Sequence, residues 1–166
     1  MSTRRINFRR RKIKSVDVAT RKVRTVTGLT GYERILHHKK LGEITQVTSS
    51  NKKKGAQFRG SVVISSGWQV LAQVSFKFIR TKARGKEIEL RGLNVISDRQ
   101  REGLFEQMLS EVSYIGRKEE AKAVTLEVEE FNDVARRAYK KLGFVEVGKT
   151  RKSSVHPWEI RIQLKL

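Results

Sequence analysis

The stretch from Val124 to Phe144, which reads VTLEVEEFNDVARRAYKKLGF, constrains the fold more than any other part of the chain. Its first apolar residues recur at every second position, as in a strand, and the later ones recur at the spacing of a helix. Asn132 stands where an N-cap belongs, and Gly143 stands where a C-cap belongs. The pattern therefore predicts a strand that leads directly into a capped helix.

Within this stretch the run L-E-V-x-x-x-N-x-x-A-x-x-x-Y-x-x-L-G-F, from Leu126 to Phe144, resembles the C-terminal motif of the GCN5-related N-acetyltransferase superfamily. Its wording is nearest to the enzymes that acetylate the N-terminus of a ribosomal protein. The resemblance implies that the strand and the helix form one wall of an acetyl-CoA cleft, in which Asn132 and Ala135 contact the cofactor.

The same resemblance assigns catalytic roles. Tyr139 matches the acid that protonates the departing thiolate, and Glu127 matches a general base. Other branches of the family place the base on the preceding strand, which makes Glu89 the second candidate. Each residue also has a plainer interpretation: Glu127 as a solvated strand residue, Tyr139 as a core residue on the apolar stripe, and Asn132 as a helix cap alone.

A second segment, Val95 to Leu109, has the pattern of a strand, a glycine-containing turn and a helix N-terminus. Free backbone N–H groups and the helix dipole make such a turn a site for anions. The family's turn, R/Q-x-x-G-x-G/A, holds the CoA pyrophosphate, and its first two fixed positions match Gln100 and Gly103. Its third position carries the bulky Phe105, so this motif is degenerate. The resemblance implies a cofactor-binding set of Leu93, Val95, Gln100, Arg101, Gly103, Phe105, Asn132 and Ala135, with a backbone N–H near Leu93 to Val95 as the oxyanion donor.

The charge of the chain is strongly asymmetric. Lys and Arg number 37 against 17 Asp and Glu, a formal net charge of +20, and residues 1–86 hold 22 of the bases but only 3 of the acids. Such a surface attracts polyanions, most often nucleic acid. The predicted contacts are the basic arm of residues 1–14 and the Lys triplet of the loop Ser49–Gly55, namely Arg4, Arg5, Arg9, Arg10, Arg11, Lys12, Lys14, Lys52, Lys53 and Lys54. A disordered solubilising tail is the alternative interpretation of the arm.

Composition also removes several classes of chemistry. With no cysteine, the chain has neither disulfides, thiolate metal sites nor a cysteine nucleophile. His37 and His38 stand beside Lys39 and Lys40, so we expect them on an exposed basic face, and we expect no metal site. No apolar run approaches the ~20 residues that cross a bilayer. The sequence predicts a soluble cytoplasmic protein, with association with the nucleoid or the ribosome left open.

The remaining patterns predict one α/β domain over residues 15–166, with the arm of residues 1–14 appended. We expect a first strand over Val16–Val26 and a short helix over Tyr32–Leu41. We also expect a long strand whose inward residues alternate from Trp68 to Phe78. The fold class is a mixed, mainly antiparallel sheet flanked by helices. The family resemblance implies a bulge where the central strand separates from its neighbour, and Gly92 is compatible with one.

Two functions follow from these observations. The first is an acetyl-CoA-dependent N-acetyltransferase that acts on an amine of a nucleic-acid-associated substrate, such as a ribosomal or nucleoid protein. The second is a catalytically inactive module of the same fold that binds nucleic acid or a ribonucleoprotein through the basic N-terminal half.

Overall fold

The computed structural model describes residues 15–24, 30–51, 57–150 and 158–166. In these residues nine strands form one sheet, and two α-helices pack against it. The elements are β1 (Ser15–Arg24), β2 (Thr30–His38), β3 (Gly42–Asn51), β4 (Arg59–Ser66), β5 (Gln69–Thr81), β6 (Gly85–Val95), a 3-10 turn (Ser97–Arg99), α1 (Leu104–Lys118), β7 (Ala123–Glu129), α2 (Asp133–Lys141), β8 (Val145–Thr150) and β9 (Glu159–Lys165).

The strand order across the sheet is β1-β2-β3-β4-β5-β6-β7-β9-β8. Every neighbouring pair is antiparallel except β6 and β7, which are parallel and are joined by α1. A parallel pair needs such a crossover, whereas antiparallel neighbours can be joined by short turns. The predicted mixed, mainly antiparallel sheet with flanking helices is confirmed.

The core lies between the helices and one face of the sheet. Leu104, Met108 and Val112 form the apolar face of α1 that packs against the sheet, and each is at most 1% exposed. Gly116 on the same helix approaches the sheet so closely that a Cβ would lie 2.9 Å from Cδ1 of Ile88. A Cβ at this position would therefore displace the terminal methyl groups of Ile88 and of Leu166, the latter at 2.5 Å.

The predicted helix over Tyr32–Leu41 is wrong, because Thr30–His38 is the strand β2. The segment pairs in register with β1 on one side and β3 on the other, so both of its edges are hydrogen-bonded. Its alternation was hidden by the adjacent Ile35 and Leu36. Tyr32 and Arg34 both reach Glu111 on α1, as residues two apart on a strand can. Tertiary pairing thus outweighs the local helical spacing.

Smaller differences concern the ends of strands. The alternation predicted from Trp68 fails at its beginning, because Trp68 and Val70 are exposed whereas Leu71 is buried. The register between β4 and β5 shifts at Ile64/Ser65, which changes the inward-facing residue. Strand β3 extends to Asn51, into the predicted loop. The arm of residues 1–14 and the triplet of residues 52–54 lie outside the described residues. Across the described ranges, neither helix combines the length and the apolar character needed to cross a membrane.

Candidate active site

A gap opens between the two parallel strands at the centre of the sheet. Strands β6 and β7 pair only from Glu87 to Glu89 on β6 and from Ala123 to Thr125 on β7. Both strands continue, β6 to Val95 and β7 to Glu129, without pairing with each other. The backbone edge of β6 that faces β7 is therefore open to a ligand beyond Glu89.

A bulge accompanies this separation, as predicted. The register between β5 and β6 shifts between Gln73 and Ser75, and Gly92 has a left-handed φ of 59°. The extra residue bends β6 away from the plane of its neighbours. Leu93 and Val95, the predicted cofactor contacts on this strand, follow the bulge and are half-buried.

The N-terminus of α1 lies directly after β6, where the anion site was predicted. Gly103 is the N-cap with a φ of 83°, and no side chain caps the helix. The first intrahelical bond runs from the N–H of Gln107 to the carbonyl of Gly103 at 3.1 Å. The preceding N–H groups of the first turn therefore have no partner within the helix, which leaves them for an anion.

The negative charge of Glu102 lies at this turn, beside a cation of the neighbouring hairpin. Its carboxylate lies 3.6 Å from Nζ of Lys40, on the turn between β2 and β3. Its carbonyl oxygen lies 3.0 Å from Nε2 of His38. Both contacts hold Glu102 toward the hairpin, so its charge is partly neutralised by Lys40.

His38 is not on an exposed basic face, and that prediction is wrong for this residue. Its side chain is 0% exposed, while His37 is exposed as expected. The N–H groups of Lys40 and Leu41 donate to Nδ1 at 3.3 and 3.2 Å. Because Nδ1 accepts these bonds, Nε2 carries the proton and donates to the carbonyl of Glu102. His38 thus holds the turn that precedes α1.

The substitutions His38→Gln and His38→Asn distinguish the hydrogen bond that Nε2 makes from those that Nδ1 accepts. Gln can keep a donor near Nε2, whereas Asn can keep only an acceptor near Nδ1. We expect His38→Asn to lower the free energy of unfolding by about 1 kcal/mol more than His38→Gln does, the value of one hydrogen bond. Urea unfolding of both variants checks this, and equal losses would show that the bond to Glu102 does not stabilise the turn.

Tyr139 lies on the face of α2 that looks toward α1. Its ring contacts Phe105 edge-on at 5.6 Å and Phe144 at 5.7 Å between centroids. Phe105 and Tyr139 therefore pack together in the space between α1 and α2. Burial raises the pKa of the Tyr139 phenol above its ordinary value of 10.0. The hydroxyl is consequently protonated at neutral pH, as a proton donor must be.

A cavity of about 580 Å³ lies beside Tyr139, between α2 and β8. Its wall includes Arg137, Lys140, Glu146 and Ile162. The cavity gives Tyr139 a solvent-accessible side in addition to the one that faces Phe105.

The predicted cap of α2 is confirmed. The N–H of Ala135 donates to Oδ1 of Asn132 at 3.0 Å, and Gly143 after the helix has a φ of 94°. Asn132 is therefore engaged as a cap, and this bond places its side chain at the end of β7 where the gap opens. Ala135 is half-buried on the same first turn.

Glu89 lies on β6 at the last residue paired with β7 and is held by two cations. Its Oε1 lies 2.5 Å from Nε of Arg91 and 3.3 Å from Nζ of Lys77. Burial raises the pKa of Glu89, but the hydrogen bonds and charges of Arg91 and Lys77 outweigh burial and hold it below its ordinary value. A carboxylate so stabilised is a poor acceptor for a proton.

Glu127 is the half-buried carboxylate of β7 just beyond the paired residues. Its cross-strand neighbour on β9 is Arg161, whose guanidinium is bonded elsewhere. Nη2 of Arg161 lies 3.0 Å from Oε2 of the fully buried Glu87 and 3.2 Å from Oγ1 of Thr125. This network fixes β6, β7 and β9 together at the point where the gap begins.

The predicted site residues fall on neighbouring elements. Glu89, Leu93 and Val95 lie on β6 and Glu127 lies on β7. Gly103 and Phe105 begin α1, whereas Asn132 caps α2, which carries Tyr139. Gln100 and Arg101 stand on the turn before α1, and Arg101 has a left-handed φ of 72°. Sequence reasoning missed His38 and Arg161. A histidine at the end of a strand could have been recognised only if β2 had been predicted as a strand. Within the described part of the chain, no three His, Cys, Asp or Glu residues are grouped so as to hold a metal ion.

The acetyltransferase (GNAT) family model matches residues 33–144, which is more than half of the chain and includes both motifs. The chain therefore belongs to the GNAT acetyltransferase family. No curated protein matches it at the threshold of significance.

Solved structures share the fold at low identity. NAA60 from Arabidopsis thaliana in complex with acetyl-CoA is 17% identical, with a TM-score of 0.56 over 68% of this chain and 78% of that one. NAA50 from the same plant, with the bisubstrate analogue CoA-Ac-MVNAL, is 14% identical, with a TM-score of 0.55 over 64% and 72%. Ard1 from Thermoplasma volcanium is 20% identical, with a TM-score of 0.53 over 64% and 70%. At these identities the likeness concerns the fold alone.

Proposed function

We propose that this protein transfers the acetyl group of acetyl-CoA to an amine. The observation that carries the proposal is the gap between β6 and β7, with the uncapped N-terminus of α1 beside it. An extended thioester arm fits a gap between separated strands, and a diphosphate fits free N–H groups at a helix start. The residues present suit both parts, since Gly103 has no side chain to obstruct the turn and Glu102 is held toward Lys40.

The chain's residues supply the groups that direct acetyl transfer needs. Glu127 takes a proton from the attacking amine as its nitrogen bonds to the thioester carbonyl carbon. A backbone N–H of β6 near Leu93 to Val95 donates to the oxyanion that develops. Tyr139 then gives its phenolic proton to the thiolate as the carbon–sulfur bond breaks.

Glu89 and Glu127 are the two candidates for the general base, and the surroundings of Glu89 argue against it. Glu89 is paired with Arg91 and Lys77, which lower its pKa and make it a poor base. We therefore assign the base to Glu127, the carboxylate that matches the base in the family motif. We expect Glu127→Gln to lower kcat/KM about 100-fold, since general-base catalysis contributes 10²–10⁴-fold. Glu89→Gln should leave kcat nearly unchanged. Initial rates of both variants with one amine acceptor check this, and the reverse order of losses would assign the base to Glu89.

The acceptor that we propose is an amine on a protein bound to nucleic acid, such as a ribosomal or nucleoid protein. The net charge of +20 supports it, because CoA alone is too small a partner for such an excess. A free cationic tail would be repelled by this protein, whereas the same tail on a polyanion would not. The peptide-bearing analogue bound to NAA50 supports an amino-terminal amine as the acceptor.

Acetyl transfer is tested by incubating the full chain with acetyl-CoA and ribosomal or nucleoid protein fractions, followed by mass spectrometry. We expect a gain of one acetyl group on a protein amine, and no gain with a Glu127→Gln, Tyr139→Phe double variant. Equal acetylation by the double variant and the wild-type protein would show that Glu127 and Tyr139 are not the catalytic residues.

A second function is supported by the same charge. A catalytically inactive member of the family could bind nucleic acid or a ribonucleoprotein through its basic N-terminal half. Nucleic-acid binding by a protein that shows no affinity for acetyl-CoA would favour this function over the first.

A further inference from the structure

The two ends of the central strands differ in how their charges are paired. At the cleft end, where β6 and β7 finish, ion pairs join carboxylates to cations at 2.5–3.6 Å. They are Asp98–Arg99, Glu102–Lys40, Glu130–Lys149 and Asp133–Arg136. Each of these four cations therefore has a carboxylate partner near the proposed active site.

The opposite end of the sheet carries a cluster of cations, here called the basic end. It comprises the turn between β5 and β6, the C-terminus of α1 with the loop to β7, and the end of β9. Its eight bases are Arg80, Lys82, Arg84, Lys86, Arg117, Lys118, Lys122 and Lys165, and all are exposed except the half-buried Lys86. The acids in the same segments are Glu119 and Glu120.

Few of these cations are engaged. Lys86 lies 3.5 Å from Oε2 of Glu119, and Nζ of Lys118 lies 4.9 Å from the ring centroid of Tyr114. Among the described residues, the other six bases of the basic end make no ion pair. Such unpaired, like-charged groups repel one another, so an anionic partner would relieve a real electrostatic cost.

Backbone hydrogen bonds hold the segments of the basic end together. The N–H of Lys122 donates to the carbonyl of Lys86 at 2.8 Å, and the N–H of Leu166 donates to the carbonyl of Lys122 at 3.0 Å. The N–H of Glu120 donates to the carbonyl of Arg117 at 3.2 Å. The cations consequently stand on a connected part of the fold rather than on separate flexible tails.

The sequence did not reveal this cluster. Half of its bases come from residues 87–166, which carry 15 bases against 14 acids and are nearly neutral in total. Folding brings Arg117, Lys118, Lys122 and Lys165 beside the turn of residues 82–84, while most of the acids of this half lie elsewhere. Bases of both halves of the sequence are thus concentrated at one end of the sheet.

We infer that the basic end binds the phosphate backbone of a nucleic acid. Exposed Lys and Arg on one connected surface, here eight bases against the two acids Glu119 and Glu120, are the electrostatic footprint of such binding. The eleven residues of β6 separate the two ends by about 30 Å, at about 3.3 Å per residue. A nucleic acid bound there leaves the cleft free, and an amine on a protein carried by the same nucleic acid can reach it. This last point rests on the proposed acetyl transfer.

The test compares the salt dependence of binding in two matched variants of the full chain. The first, Lys82→Gln, Arg84→Gln, Lys122→Gln, removes three cations from the basic end. The second, Lys22→Gln, Lys39→Gln, Lys141→Gln, removes three exposed cations that lie outside the basic end and outside the proposed active site. Fluorescence anisotropy with a short labelled single-stranded RNA and a short DNA duplex, without acetyl-CoA, gives log Kd against log salt for each.

We expect the slope of the first variant to fall by about 2–3, since each phosphate contact contributes about 0.7 for single strands and 0.9 for duplex. The second variant should keep the wild-type slope. An unchanged slope in the first variant would overturn the inference, and so would an equal fall in both, because binding would then follow net charge alone.

Acetyl transfer to a short neutral peptide is measured on the same proteins. If the salt slope of the first variant falls but the wild-type protein transfers no acetyl group, the proposed enzyme is contradicted and the basic end remains a nucleic-acid site. If acetyl transfer proceeds and the salt slope of the first variant is unchanged, the enzyme remains and the inference about the basic end is contradicted.

Discussion

Tyr139→Phe is expected to lower kcat about 100-fold or more with little change in the KM for acetyl-CoA. The substitution removes only the hydroxyl that would protonate the thiolate, and general-acid catalysis contributes 10²–10⁴-fold. The ring would still pack against Phe105 and Phe144, so the fold should be retained. Stopped-time assays of CoA release measure the loss.

The matched control is Tyr114→Phe, which removes a hydroxyl from an exposed ring on α1. It should leave kcat unchanged. The pH dependence gives a second check, because burial raises the pKa of Tyr139 and only the protonated phenol can act as the acid. The acid therefore stays in its active form up to about pH 10, and a fall in kcat assigned to Tyr139 below that pH would contradict its role.

Gly103→Glu is expected to weaken acetyl-CoA binding at least about 100-fold. The residue caps α1 with a φ of 83°, which favours glycine, and the new carboxylate would stand where the diphosphate is proposed to bind. Two like charges about 4 Å apart repel by about 4 kcal/mol at an effective dielectric constant of 20. Calorimetric titration of the variant measures the loss.

Gly103→Asn separates charge from backbone strain, since asparagine tolerates the left-handed conformation and is neutral. It should bind acetyl-CoA far better than Gly103→Glu. If both variants lost binding equally, the backbone conformation rather than the anion site would account for the effect. If neither lost it, the diphosphate would not lie at this turn.

The strongest sequence motif predicted its own structure well. The strand, the N-cap at Asn132 and the left-handed Gly143 after α2 follow from local chemistry, because caps and alternation need no distant partner.

The features that sequence reasoning missed depend on distant contacts. Strand β2 exists because β1 and β3 pair with both of its edges, which no local propensity encodes. His38 is buried only because that strand places it beneath Glu102, 64 residues further along the chain. The assignment between Glu89 and Glu127 likewise required the positions of Lys77 and Arg91 around Glu89, which the fold alone supplies.

Phe105, which departs from the family pattern, is a packed residue in the structure. The sequence showed a bulky residue where a small one is usual in the pyrophosphate turn. In the fold its ring is packed edge-on against Tyr139 and against the core, in the gap between α1 and α2. Phe105 and the proposed acid are thus neighbours, and cofactor binding must be compatible with both rings.

Calorimetric titration of acetyl-CoA into the nucleic-acid-free full chain tests the central claim most directly. Saturable binding of one acetyl-CoA per chain at micromolar affinity, about −8 kcal/mol, is the result that the cleft between β6 and β7 predicts. Absence of binding at millimolar acetyl-CoA would contradict the acetyltransferase and leave the polyanion-binding function.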